Sequence, residues 1–195
     1  MVGNIAFMEM REQILLIAQR LVQQCGFNGF SYADIAAEVG IRKASLHHHF
    51  PTKTDLGQAL IDTYTDQFDD ALQGIVAKSA APEKKLKAYI ALYRNSLEAE
   101  KICLCGMLAS EVLTLDASML PKLTRFFNLN TGWLSQILEE GKTQKLFSFK
   151  GSALQQAQVI LSTLQGAMLI ARVDGNCVVF DHTTALVVLN LTRKG

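Results

Sequence analysis

The sequence has little that would interrupt helices and little that would hold it in a membrane. Only three of its 195 residues are proline, at positions 51, 82 and 121, each near the start of a predicted helix. No window offers about 18 uninterrupted apolar residues, so we expect no membrane span. The first residues lack the charged and apolar regions of a secretory signal, so we expect a cytoplasmic protein whose four cysteines are thiols.

The chain also lacks a large charge of either sign. Its formal net charge is +1, which is weak support for binding nucleic acid, because dedicated polyanion binders are often far more basic. Placement is more informative, since Arg42, Lys43 and Lys53 lie together with no acidic residue between Arg42 and Lys53. Hydrophobic residues make up 49% of the chain, enough for a sizeable core and a self-association surface.

The most informative stretch is residues 31–56, SYADIAAEVGIRKASLHHHFPTKTDL. Ser31 is a good N-cap for a first short helix, and Gly40 suits the positive φ of its end. A second short helix follows with polar side chains on one face, and Phe50 and Pro51 end it. Thr52 then caps a third helix. The pattern predicts a helix-turn-helix with no linker after it.

Apolar residues recur at helical spacing through the rest of the chain, which predicts an all-α fold. The last segment, rich in β-branched residues, is taken as a helix because a lone strand would have no partner. Ser118 is predicted to cap the helix that contains Trp133. We place a helix-turn-helix domain at residues 1–53 and a helical regulatory and dimerisation domain at 54–195. The predicted helices cover residues 8–25, 54–78, 82–99, 105–115, 118–142, 153–172 and 181–191, besides the two short ones.

The helix-turn-helix stretch resembles the TetR family of transcriptional repressors. Three positions depart from the family pattern, Arg42, Ala44 and His47, and these are where operator preference should differ. The resemblance implies an all-helical homodimer whose first three helices bind DNA. The remaining helices would hold an effector pocket, and the last two would form the dimer interface. The matching residues are Asp34, Ile35, Ala36, Val39, Gly40, Lys43, Ser45, Phe50, Lys53 and Leu56.

Given this resemblance, we predict a DNA-contacting set, although a solvated helix face is the alternative for the same residues. Lys43 and Lys53 would neutralise phosphates, and Arg42 would reach a guanine edge or a phosphate. Ser31 and Tyr32 would offer backbone N–H groups to a phosphate. The full set is Ser31, Tyr32, Arg42, Lys43, Ala44, Ser45, His47, His48 and Lys53.

No metal, cofactor or catalytic centre is predicted. Three adjacent histidines, 47–49, point about 100° apart on a helix and cannot converge on one ion. Aromatic residues and one methionine could line a ligand pocket or form ordinary core, and the sequence leaves both open: Tyr89, Tyr93, Met107, Phe126, Phe127 and Trp133.

Two stretches, CLCGMLASEV and ALQQAQVILSTLQGAMLIAR, are similar to the N-ethylmaleimide reductase repressor subgroup, whose members sense electrophiles or oxidants through a cysteine. Cys103 falls at the matching position and Cys105 lies two residues on, so both are candidate sensors. Arg172 stands where a lysine would be expected. The alternative is that both thiols are small core hydrophobes. Cys25 and Cys177 are predicted to be structural.

The sequence therefore predicts a transcriptional repressor that binds a palindromic operator as a homodimer and is released by a small molecule or a thiol-reactive effector. The rival is a thiol redox enzyme that uses Cys103 and Cys105 as a dithiol pair. That enzyme would lack a βαβ context and a general base, so we do not expect enzymatic activity.

Overall fold

The computed structural model describes residues 9–192, and these residues form α-helices and no strand. The predicted start of the first helix, Met8, lies outside the described residues. So do residues 1–8 of the predicted domain 1–53 and residues 193–195 of the predicted domain 54–195. In chain order the helices are α1 (Met10–Cys25), α2 (Tyr32–Val39), α3 (Lys43–His49), α4 (Lys53–Lys78), α5 (Pro82–Glu98), α6 (Leu104–Ser110), α7 (Leu120–Thr143), α8 (Ala153–Asp174) and α9 (Val178–Thr192).

Local capping chemistry explains where several helices begin and end. Ser31 and Asp34 form a reciprocal capping box at the start of α2. Gly40 ends α2 in the left-handed conformation, with φ of 80°. Pro82 occupies the first turn of α5, where its missing N–H costs no hydrogen bond. These starts and ends are the predicted ones.

The long helix α4 buries one continuous stripe. All seven apolar residues predicted to recur along it are buried, which confirms the helical reading of this stretch. The hydroxyl of Thr52 accepts from the N–H of Asp55, and the Asp55 carboxylate accepts from the N–H of Thr52, so the predicted cap is present. The stripe consists of Leu56, Leu60, Ile61, Tyr64, Phe68, Leu72 and Ile75.

The region between α6 and α7 differs from the sequence prediction. Helix α6 ends at Ser110, and residues after it form two short 3₁₀ turns, Val112–Thr114 and Ala117–Met119. The predicted cap at Ser118 is wrong: Asp116 is the capping residue, and its carboxylate accepts from the Ser118 N–H at 2.9 Å. Asp116 precedes a 3₁₀ turn that leads directly into α7.

The last two helices confirm the all-helical reading of the C-terminal region. The β-branched segment is helix α9, and α9 has more contacts with α8 than with any other helix. The small residues of α8 are divided between faces: Ala157 and Ala167 are buried, while Ser162 is exposed and Gly166 half-buried. None of the described helices is both long enough and apolar enough to span a membrane.

The described chain divides into two compact units, each built from two segments. The first unit combines the described part of Met1–Thr65 with Leu104–Thr124. The second combines Asp66–Cys103 with the described part of Arg125–Gly195. The first unit therefore contains the helix-turn-helix together with α6 and the start of α7.

Candidate DNA-binding interface

Backbone hydrogen bonds end helix α2 at the turn of the helix-turn-helix. The N–H groups of Gly40 and Ile41 both donate to the carbonyl of Ala36, at 3.0 Å each. The chain then passes through Arg42, whose extended backbone precedes α3. The turn between α2 and α3 is therefore three residues long, as a helix-turn-helix requires.

Helix α3 is mostly exposed. Of its seven residues only Leu46 is buried. The side chains of Arg42 and Lys43 have no hydrogen-bond or ion-pair partner among residues 9–192, so their charges are available to an external anion. This surface, which we call the recognition face, consists of the exposed residues Arg42, Lys43, Ala44, Ser45, His47 and His48.

His47 is oriented on the recognition face by two contacts. Its Nδ1 lies 3.1 Å from the carbonyl oxygen of Pro51. Its ring lies 4.8 Å from the ring of Tyr32, centroid to centroid. Because a carbonyl oxygen only accepts, Nδ1 carries a proton, and Nε2 is the ring nitrogen left to face outward.

Tyr32 has a structural role. The side chain is buried, and its hydroxyl lies 2.9 Å from the Phe50 carbonyl and 2.5 Å from the Thr52 carbonyl. Burial, with the nearby Asp55 as a smaller cause, raises the pKa of Tyr32 to about 12. The hydroxyl thus holds the connection between α3 and α4 and is not presented to solvent.

Lys53 is half-buried, its ammonium is bound within the first unit, and it is not part of the recognition face. Its Nζ donates to the carbonyl of Phe30 and lies 4.9 Å and 4.4 Å from the ring centroids of Phe27 and Phe30. Burial lowers the pKa of Lys53, while the nearby Glu111 raises it. The ammonium is therefore held by a carbonyl and two aromatic faces.

Ser31 is engaged in its own cap. Its N–H and hydroxyl both donate to Oδ2 of Asp34, at 2.7 Å and 2.8 Å, and its oxygen accepts from Ala33. Backbone and side-chain hydrogen bonds from Ser31 lower the pKa of Asp34. The Ser31 N–H that was predicted to hold a phosphate is thus already bound to a carboxylate.

A carboxylate from residues 104–124 binds the loop between α1 and α2, and the sequence did not predict this contact. Glu111 Oε1 accepts from the N–H of Phe27 at 2.9 Å, and Oε2 accepts from the N–H of Asn28 at 2.9 Å. The partners are 84 and 83 residues apart in the chain, so no local pattern identifies the pair.

The histidine run does not form a metal centre. Among residues 9–192 there is no group of three or more His, Cys, Asp or Glu side chains that could hold a metal ion. His48 and His49 are in edge-to-face contact with ring centroids 5.7 Å apart, and His49 is half-buried.

The two candidate sensor cysteines are both buried. Cys103 is 1% exposed and ends one segment of the second unit, and Cys105 is 0% exposed and lies in α6. Cys25, which is predicted to be structural, has an exposed thiol. Cys177 is half-buried. A reagent in solution therefore meets Cys25 before it meets Cys103 or Cys105.

The aromatic residues of the second unit form a packed core around a polar group. The Oδ1 atom of Asn130, which is fully buried, accepts from the hydroxyl of Tyr89 at 2.8 Å and from that of Tyr93 at 3.2 Å. Trp133 stacks on Tyr89 at 5.4 Å between centroids. Burial raises the pKa of Tyr89, the Tyr93 hydrogen bond opposes this, and Cys103 adds a smaller rise.

An open groove of about 470 Å³ lies on the surface of the second unit along α5 and α9. Asp181 at this groove forms an ion pair with Arg94, at 2.6 Å. The groove is lined by Lys87, Ile90, Asp181, Thr184, Ala185, Val188, Leu189 and Thr192.

Comparison with known proteins decides the family. Residues 14–60 match the family model for bacterial regulatory proteins of the tetR family. A solved TetR-family transcriptional regulator from Agrobacterium tumefaciens is 33% identical, with a TM-score of 0.90 over 94% of this chain and 97% of its own. The chain belongs to the TetR family.

A second relative supports the similarity of the C-terminal half. The transcriptional repressor NemR of Escherichia coli is 26% identical over 170 residues, 84% of each chain. The crystal structure of its reduced form has a TM-score of 0.81 at 25% identity, over 93% of this chain and 96% of that one. The predicted all-α fold and the predicted resemblance to the TetR family, including its N-ethylmaleimide reductase repressor subgroup, are therefore confirmed. The relatives are transcriptional regulators and not enzymes, which argues against the redox-enzyme alternative.

Proposed function

We propose that this TetR-family regulator is a homodimeric repressor that binds a palindromic DNA operator through α3. The observation that carries the proposal is the recognition face: a short helix that buries only Leu46 and directs Arg42, Lys43, Ser45, His47 and His48 outward. Two such helices, one from each protomer, would enter successive major grooves about 34 Å apart.

The residue roles in this proposal follow from the contacts in the first unit. Arg42 and Lys43 contact phosphate or a guanine edge, and Ser45, His47 and His48 face the groove beside Ala44. Tyr32 and Lys53 act by positioning the connection from α3 to α4, because their polar atoms are bonded inside the unit. The functional DNA-binding region is then residues 1–53, supported by residues 104–124.

Dimerisation is proposed through α8 and α9. Both helices expose large apolar side chains, and an apolar surface of this kind in one chain favours burial against a second copy. The small residues Ser162, which is exposed, and Gly166, which is half-buried, would let a partner helix approach α8 closely. The exposed apolar residues are Leu154, Val159, Leu169, Ile170, Val173, Val178, Leu186 and Leu189.

The first experiment is a binding titration with DNA from upstream of the protein's own gene. We expect a retarded complex whose affinity falls as salt rises, because phosphate neutralisation releases counterions. A protein that binds this DNA no better than a scrambled fragment of equal length at every salt concentration would contradict the proposal.

The effector is proposed to be a small molecule or a thiol-reactive compound that acts at Cys103 or Cys105. Support comes from the relative NemR, whose solved form is described as reduced. Burial of both thiols means that reaction requires a transient opening, so we expect modification to be slow compared with that of exposed Cys25.

N-ethylmaleimide and diamide test this proposal in the same gel-shift assay. Maleimide adds a C–S bond to one thiolate, whereas diamide oxidises two thiols. Release of DNA that persists in Cys25→Ser but disappears in Cys103→Ser or Cys105→Ser would support the sensor. Release that disappears only in Cys25→Ser would reject it, and no release at all would favour a non-reactive effector.

A further inference from the structure

The segment that follows Cys103 is built into the same compact unit as the helix-turn-helix. Leu104–Thr124 clusters with the described part of Met1–Thr65, and α6 has contacts with α1. A displacement of α6 would therefore move atoms within the unit that contains the recognition face. Glu111, directly after α6, is the residue whose hydrogen bonds to the α1–α2 loop would change.

Glu111 is hydrogen-bonded to the loop between α1 and α2 by both of its oxygens. Oε1 accepts from the Phe27 N–H, and Oε2 accepts from the Asn28 N–H and from Asn28 Nδ2, at 2.9, 2.9 and 2.6 Å. The second proton of the Asn28 amide goes to Thr114 Oγ1 at 2.8 Å. Donors on both oxygens make this a site for a carboxylate, since an amide would place its own NH₂ against an N–H.

The loop is shaped to receive this carboxylate. Gly26 has φ of +82°, and a Cβ at that position would overlap Oε1 of Glu111. The ring of Phe27 lies under the ammonium of Lys53, and Glu111 favours the charged form of that lysine. Lys53 begins α4, so the carboxylate, the loop and the end of the helix-turn-helix form one connected set.

We propose that Glu111 is a positioning residue that couples residues 104–124 to the helix-turn-helix. Movement of α6 changes the hold of Glu111 on Phe27 and Asn28, which shifts α2 and with it α3. This inference rests on the proposed DNA-binding function. It names the contact through which that function is regulated. Coupling between two sites acts equally in both directions, so DNA binding at α3 must also affect residues 104–124, and the inference can be tested without knowing the effector.

The inference is tested by measuring how DNA binding changes residues 104–124, with DNA as the only ligand. Hydrogen exchange is measured with and without the upstream DNA fragment in wild type, Glu111→Gln and the control Glu12→Gln. Glu12 is an exposed carboxylate in the first turn of α1, so the control matches the change in charge. In wild type and control we expect DNA to slow exchange in 43–49 and also to change exchange in 104–124.

In Glu111→Gln we expect slowing in 43–49 to persist while the DNA-dependent change in 104–124 falls by about fivefold or more. A merely structural role would instead raise exchange in both DNA-free and DNA-bound samples and leave their difference intact. An unchanged difference in this variant overturns the inference, as does a wild type that binds DNA with no change in 104–124.

A milder variant keeps the test decisive if Glu111→Gln folds poorly. Asn28→Ala removes the Nδ2 bonds to Glu111 and Thr114 and leaves both backbone donors in place. We expect a partial loss of the DNA-dependent change in 104–124, and a full wild-type response would overturn the inference. Absence of slowing in 43–49 of the wild type would instead reject the proposed DNA-binding function, and the inference with it.

Discussion

The cationic side chains in and beside the recognition face differ in whether their charges are already bound within the protein. The side chains of Arg42 and Lys43 have no hydrogen-bond or ion-pair partner among the described residues, whereas the ammonium of Lys53 is held by the Phe30 carbonyl and two rings. Three cations that lie close in sequence therefore divide into two that can meet DNA and one that supports the fold.

Removing a phosphate-contacting cation should change the salt dependence of DNA binding. In Lys43→Ala we expect the slope of log K against log salt to fall in magnitude by about 1, with similar weakening for all sequences. The measurement is a fluorescence-anisotropy titration at several salt concentrations. Lys78→Ala, an exposed lysine at the end of α4, is the control and should keep the wild-type slope.

Acid should remove the contribution of the Asp34 cap. Hydrogen bonds from Ser31 lower the pKa of Asp34 in the folded state below its unfolded value of about 3.9. The carboxylate therefore stabilises the fold above about pH 4, and this contribution is lost as pH falls through the folded pKa.

Urea unfolding of Asp34→Asn at neutral and acid pH measures this effect. We expect the variant to be less stable than wild type at pH about 7 and the difference to shrink below pH about 4. Exposed Asp70→Asn serves as a control for loss of one negative charge. A deficit in Asp34→Asn that stays constant across the whole range would contradict the assigned role.

At the scale of elements, local chemistry was readable from the sequence and distant contacts were not. The caps at Ser31, Gly40 and Thr52 depend on neighbours within a few residues, and all three were predicted. The end of α6 could not be predicted, because Glu111 is bound to a loop more than 80 residues away. The Tyr32 hydroxyl and the Lys53 ammonium likewise bind carbonyls that lie outside their own helices.

The core of the second unit depends on one amide in α7. Replacing Asn130 with leucine removes the acceptor that the buried hydroxyls of Tyr89 and Tyr93 share and leaves them the 3.1 Å contact with each other. We therefore expect a loss of about 1–3 kcal/mol in the free energy of unfolding. Urea denaturation measures it. Asn128→Leu is the matched control, since Asn128 lies on the same helix and is exposed. Equal stability of the two variants would contradict the prediction.

For the whole molecule, the exposed apolar residues of α8 and α9 should decide the assembly state. In Ile170→Glu, or Leu186→Glu, two like charges would face each other across a two-fold interface, so we expect a monomer in light scattering and weakened operator binding. Leu113→Glu is the control, because Leu113 is 98% exposed and lies outside these helices. A dimer that survives both α8 and α9 substitutions would place the interface elsewhere.

Gly26 and Glu111 have a consequence for how sequences of this kind can diverge. A side chain at position 26 would occupy the space of the Glu111 carboxylate, and a shorter or neutral residue at 111 would leave two loop amides without an acceptor. We expect the two positions to change together in descendants of this chain. A regulator engineered for a new ligand should inherit both residues as a pair, even where everything between α6 and α9 is redesigned.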